Sequence, residues 1–165
     1  MRVLADNDIV LDFLLKRKPF YGEAKELFRL AARKKIEIYV ASITPINAFY
    51  TIRKERDRAT AFAAVRGVLE LLSVCSTDKR TLQSAFSLGF SDYEDAVQCA
   101  SAMAEGLDAI VTRNLRDYKN SPIPFIRLQS FLKFCGMNLL SDPFPASKSS
   151  LYTVDLDKAA LQLRS

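Results

Sequence analysis

The sequence predicts a three-layer α/β/α domain around a mostly parallel sheet of four or five strands. Three observations carry this. Short apolar runs alternate with stretches of helical periodicity along most of the chain. The 165 residues, 49% hydrophobic and 26% charged, suit one well-filled core rather than a disordered chain. Acidic residues follow the apolar runs, Asp6 directly after "RVLA" and Asp117 shortly after "AIVT". The C-terminal ends of parallel strands would gather such residues on one edge.

Val3–Ala5 reads as the first strand, ending at Asp6, and a helix follows with Ile9, Phe13 and Leu14 on one face. Phe20 to Lys35 reads as a second helix, with Ala24, Leu27, Phe28 and Ala31 at helical spacing. Its basic end, Arg33-Lys34-Lys35, suits the negative pole of a helix dipole. Glu37–Ala41, "EIYVA", is a second strand. Ser42 and Thr44 as caps, with Pro45 in the first turn, open a helix carrying Ile46, Phe49, Tyr50 and Ile52. A helix from about Arg58 to Leu69, a strand over Leu71–Cys75 and a helix from Asp78 to Leu88 come next. Gly89 breaks the pattern, and Asp92 opens an Ala-rich helix to about Glu105. Ala109–Thr112 is the fourth strand, Asn114–Asn120 a loop or short helix, Phe125–Leu128 a last strand and Leu128–Phe134 a short helix. Residues 1–137 thus form the domain. Residues 138–165 are a linker, rich in turn formers at "SDPFPASKSS", and a tail whose Leu156, Ala159, Ala160 and Leu163 allow a short helix.

Composition removes several chemistries. The absence of His excludes a Ser-His-Asp triad, a His-based zinc site and an imidazole base. Cys75, Cys99 and Cys135 are odd in number and far apart, against a disulfide framework and for a reducing, cytoplasmic setting. Asp6, Asp8 and Asp12 interrupt the apolar start, so neither a signal peptide nor a membrane span is expected. The formal charge of +5 permits an anionic partner without requiring one.

Asp6, Asp95 and Asp117 are the acids that a parallel sheet would bring to one crevice. Three carboxylates there repel one another unless a divalent cation offsets them, and oxygen-only donors suit Mg²⁺ or Mn²⁺. Each acid also has a plain structural role open to it. Asp6 fits a turn, one of Asp92 and Asp95 serves the start of a helix, and Asp117 fits a solvated loop. Asp8 and Asp12, four residues apart, share a helix face either beside the site or at the surface. Glu94, adjacent to Asp95, faces a different side of its helix.

Three stretches then fall into one pattern: "VLADNDIVLDFLL", "DYEDAVQCASA" over Asp92–Ala102, and "IVTRNLRDY" over Ile110–Tyr118. In these the chain resembles the PIN-domain nucleases, in particular the small prokaryotic single-domain type found as toxins of toxin–antitoxin pairs. The likeness spans about residues 1–134, and its later two stretches, close to "DFEDAxQxxxA" and "IVTRNxxDF", are the specific ones. It implies a metal-dependent endoribonuclease in which Asp6, Asp95 and Asp117 hold one or two Mg²⁺ or Mn²⁺ ions and RNA is cut to a 5′-phosphate and a 3′-hydroxyl. Thr112 and Asn114 would line the pocket, Asp8 and Asp92 would support it, and Arg113 and Arg116 would contact phosphate. An RNA substrate, an antitoxin protein and a homodimer are the partners expected. The apolar helices "FAAVRGVLELL" and "INAFYTIRK" motivate the dimer.

The chain departs from the family in one telling place. Within "SITPINAFYTIRK", Asn47 stands where a Glu is usual, one carbonyl oxygen in place of a carboxylate. The alternative is therefore a PIN-like domain that has lost catalysis and binds RNA or protein. A haloacid-dehalogenase-like phosphotransferase also begins with a strand and a close Asp pair, but Ile9-Val10 follows here instead of its Gly-Thr turn.

Overall fold

The apolar runs become strands and the periodic stretches become helices in the computed structural model, which describes residues 1–136. The order is β1 (Arg2–Ala5), α1 (Asn7–Leu14), α2 (Tyr21–Ala32), β2 (Glu37–Ala41), α3 (Ile43–Glu55), α4 (Arg58–Leu71) and β3 (Ser73–Cys75). Then come α5 (Lys79–Ser87), α6 (Tyr93–Ala104), β4 (Ala109–Thr112), β5 (Phe125–Arg127) and α7 (Leu128–Phe134). The expected linker and tail over 138–165 lie outside the described residues.

The strands form one five-stranded sheet in the order β3-β2-β1-β4-β5, and every neighbouring pair is parallel. Strand alternation sorts the side chains into two cores. Val3, Ala5, Ile38, Val40, Ala109 and Val111 face a large core shared with α1, α2, α3, α4 and α7. Leu4, Tyr39, Ala41 and Ile110 face the other side, against Cys99 and Ala102 of α6 and the wholly buried Tyr118. Burial on both faces is what a parallel sheet requires, and it makes the three layers.

Side-chain caps set three of the helix starts among the described residues. Asp57, Asp78 and Asp92 cap α4, α5 and α6 by accepting backbone N–H bonds with their side chains. The start of α3 differs from expectation. Ser42 holds the cap position without a side-chain cap bond, and Thr44 is buried with its hydroxyl unpartnered. The third strand is also shorter than read. Leu71 closes α4, because a leucine continues a helix as readily as it starts a buried strand. Gly89, at φ 67°, makes the left-handed turn that lets the chain reverse into α6. Among the described residues no helix is long and apolar enough to cross a membrane.

Candidate functional site

After β1 the chain crosses to β2 on one side, whereas β4 lies on the other. This reversal of direction opens a crevice above the C-terminal ends of β1 and β4. Asp6, the residue after β1, sits there only 6% exposed. Its Oδ2 accepts a 2.6 Å hydrogen bond from Thr112 Oγ1, at the end of β4. Its Oδ1 accepts from Gln98 Nε2 at 3.3 Å. Thr112 is fully buried and its oxygen also accepts the Asn114 backbone N–H at 3.0 Å, so β4 and the following loop are fixed to the same acid.

Gln98 ties the crevice together. It lies one turn beyond Asp95 on α6, so both side chains share a face. Its amide reaches Asp95 Oδ1 at 3.5 Å as well as Asp6, and its carbonyl accepts the Asn7 N–H at 3.1 Å. Asp117 is held from the side by a hydrogen bond from the Asn114 amide. Asp92 spends its Oδ1 on the α6 terminus, accepting the Glu94 and Asp95 N–H groups at 2.7 and 3.4 Å.

Asp8 and Asp12 belong to a different arrangement. Arg113, expected at a phosphate, binds Asp8 at 2.7 Å and Asp12 at 3.1 Å, and its guanidinium lies 4.3 Å from the centre of the Phe20 ring. Arg116 is exposed.

The crevice is short of positive charge. Among the described residues no Lys or Arg pairs with Asp6, Asp95, Asp117 or Glu94. Burial, and then the charges of Asp6, Asp92, Asp117 and Glu94, push the Asp95 carboxyl up to about 7. Asp6 is also raised, by burial, with the Thr112 hydrogen bond opposing. Glu94 is raised by burial and by Asp92, with the nearby Asn47 amide opposing. The hydroxyl of Tyr118 is buried without a partner and feels the charges of Asp6, Asp95 and Glu94.

The donors fit Mg²⁺ or Mn²⁺ in kind: all are oxygens, and their mutual repulsion calls for a cation. They are not drawn into a closed set, since no three His, Cys, Asp or Glu among the described residues are grouped to hold a metal ion. Gln98, Glu94 and Tyr118 were given no role from sequence. For Gln98 the signal was available, a polar residue one turn from Asp95 in an Ala-rich, buried helix. For Glu94 it was not, because the groups around it come from distant parts of the chain.

A family model described as PIN domain matches residues 2–116. No curated protein matches the chain. Among solved structures, a chain of the DNA-bound VapBC of Salmonella typhimurium is 22% identical with a TM-score of 0.62, over 78% of this chain and 98% of that one. A chain of VapBC2 from Rickettsia felis, bound to a promoter DNA fragment, is 19% identical at TM-score 0.61, over 77% and 98%. A toxin–antitoxin complex from Klebsiella pneumoniae gives 19% and 0.57, over 76% and 97%. At these identities the likeness is one of fold.

Proposed function

The chain belongs to the PIN domain family, and we propose that it is a Mg²⁺- or Mn²⁺-dependent endoribonuclease, the toxin of a toxin–antitoxin pair. The observation that carries this reading is the meeting of Asp6 and Asp95, 89 positions apart in sequence, on one buried glutamine with no salt bridge to either among the described residues. A protein that only needed those acids for folding would have paired them, as it pairs Asp8 and Asp12.

A bound divalent ion would supply the positive charge and the Lewis acidity that phosphodiester hydrolysis needs. Asp6, Asp95 and Asp117 would hold it. The chain's own residues do the positioning. Gln98 and Thr112 fix the two oxygens of Asp6, Asn114 orients Asp117, and the exposed Arg116 is placed to meet a phosphate. In the overall reaction the oxygen of water bonds to phosphorus, the P–O3′ bond breaks, and the 3′ oxygen leaves with a proton. The net charge of +5 supports an RNA partner.

The toxin–antitoxin complexes of similar fold support a protein partner for this chain, and exposed Ile46, Tyr50, Phe62 and Leu69 on α3 and α4 support a homodimer. Light scattering should give twice 18.6 kDa at micromolar concentration, and a monomer mass would remove the dimer.

The test is cleavage of a labelled RNA panel across a metal titration, with wild type, Asp95→Asn and Asn47→Glu. Cutting should need Mg²⁺ or Mn²⁺, stop in EDTA and vanish in Asp95→Asn. Cutting that persists in Asp95→Asn would overturn the site. No cutting, with no metal binding by calorimetry, would favour the second reading, a PIN-like domain that binds RNA or protein. Asn47 in the usual Glu position and the open spacing of the acids are the observations on its side.

A further inference from the structure

We propose that the exposed aromatic stack of Phe86 on α5 and Tyr93 on α6 takes an unpaired base of single-stranded RNA beside the crevice, which rests on the RNA reading above. The two ring centroids lie 4.6 Å apart and the planes are 27° from parallel. Phe86 is 75% exposed, the more open of the pair. Tyr93 is fixed from behind, because its hydroxyl donates to the Leu82 carbonyl at 2.9 Å. One ring therefore backs the other, and a flat aromatic face is left open to solvent without a ligand having to order it.

Charge and position choose the occupant. Over Lys79–Ser87, α5 carries Lys79 and Arg80 and no acid. Lys79, Leu82 and Phe86 stand at i, i+3 and i+7, so a cation and the open ring share one helix face. Among the described residues Lys79 has no ion pair, and its neighbour Asp78 spends its carboxylate on the Thr81 N–H and hydroxyl. The turn between α5 and α6 is tied to the loop after β4: the Asn120 amide donates to the Gly89 carbonyl, and Phe90 packs edge-on against Tyr118 at 5.8 Å between centroids. That loop carries Asp117 and the exposed Arg116 and Lys119, so the stack flanks the crevice. Tyr93 stands two residues before Asp95, roughly 200° around α6, so the base it takes neighbours the cut bond rather than lying at it. A nucleotide answers both features, its base the ring and its phosphate the lysine. An apolar protein segment would answer only the first, and a duplex keeps its bases stacked and offers no free face.

Binding of a short single-stranded RNA to the full chain is followed in chelator, so that no cutting intervenes, by anisotropy and by the fluorescence of 2-aminopurine placed at each position in turn. Wild type should quench the probe at one position. Phe86→Ala should weaken binding about tenfold and abolish that quenching, with melting unchanged because the ring is exposed. Phe86→Trp should keep both, whereas Phe86→Leu, apolar but not planar, should keep neither. Lys79→Ala should lower the salt dependence of binding by about one counterion. Wild-type affinity in Phe86→Ala or Phe86→Leu would overturn this inference and leave the RNA reading standing. A smaller particle mass for Phe86→Ala by light scattering would also overturn it, by assigning the stack to a contact between copies. No RNA bound by wild type, with or without Mn²⁺, would overturn both readings. RNA bound through Phe86 but never cut in Mn²⁺ would support the stack and remove the nuclease.

Discussion

Asp12 and Asp6 are both nearly sealed from water, at 1% and 6% exposed, Asp6 at the N-cap of α1 and Asp12 in its last turn. They are satisfied by different kinds of group. Asp12 shares the Arg113 guanidinium with Asp8, a charge met by a charge. Asp6 meets only dipoles: the Thr112 hydroxyl, the Gln98 amide and a backbone N–H. The Arg113 cluster is complete as it stands and serves stability. The two Asp6 oxygens are satisfied by hydrogen bonds but by no salt bridge, which is what the proposed cation site would need.

The comparison breaks most sharply at the crevice itself. Asp6→Asn or Asp95→Asn should lower RNA cleavage by about 10²–10³-fold, the scale of losing one electrostatic element of a site, with the fold retained. If either variant instead unfolds the protein and the chelated wild type does not, the crevice acids are structural after all. Arg113→Met should do the converse. It strands the buried Asp12, so denaturant unfolding should show a loss of about 3 kcal/mol. Asp8→Asn, which removes the half-exposed partner, should cost about 1 kcal/mol or less.

Gln98→Leu sharpens the contrast from inside. It removes both carboxylate contacts without touching a carboxylate, and Mn²⁺ affinity should fall by about 10-fold or somewhat more. Acidity gives a smaller effect. The Asp95 carboxyl is raised from its ordinary value of 3.8 to about 7 in the fold. Between those values the folded protein keeps a proton that the unfolded chain has released. Stability in chelator is therefore full at the acid end and declines as pH rises through that window. Solvent screening at this part-buried group should hold the decline to a few degrees of melting temperature, and Asp95→Asn should flatten it. Smallest of all, Tyr118→Phe should raise the stability of the chelated protein by about 1 kcal/mol at most, by deleting a buried hydroxyl that has no partner.

The elements that sequence defined to the residue are those with one dominant local signal. β2 and β4 are apolar runs between polar flanks, and α6, with its acid cap and Ala-rich body, came within one residue at each end. The start of β3 was lost because Leu71 satisfies helix and strand alike. In the site, strand-end position and motif pointed to Asp6, Asp95 and Asp117. What they could not show is pairing across distance. Arg113 is 105 residues from Asp8 and 101 from Asp12, so nothing local marks it as occupied rather than free for phosphate. Glu94 was read as facing away from Asp95, which holds for helix geometry. At the first turn, however, Glu94 is still part-buried rather than fully solvated.

The central place of β1 has a consequence for the timing of synthesis. Asp6 leaves the ribosome early, yet the hydroxyl that orders it belongs to a residue 106 positions later and the amide to one 92 positions later. Until β4 has emerged and docked beside β1, the nascent chain holds the acid without the groups that orient it. Long-range parallel pairing is slow to form. The ribosome would thus finish nearly the whole domain before the proposed site could act on any RNA.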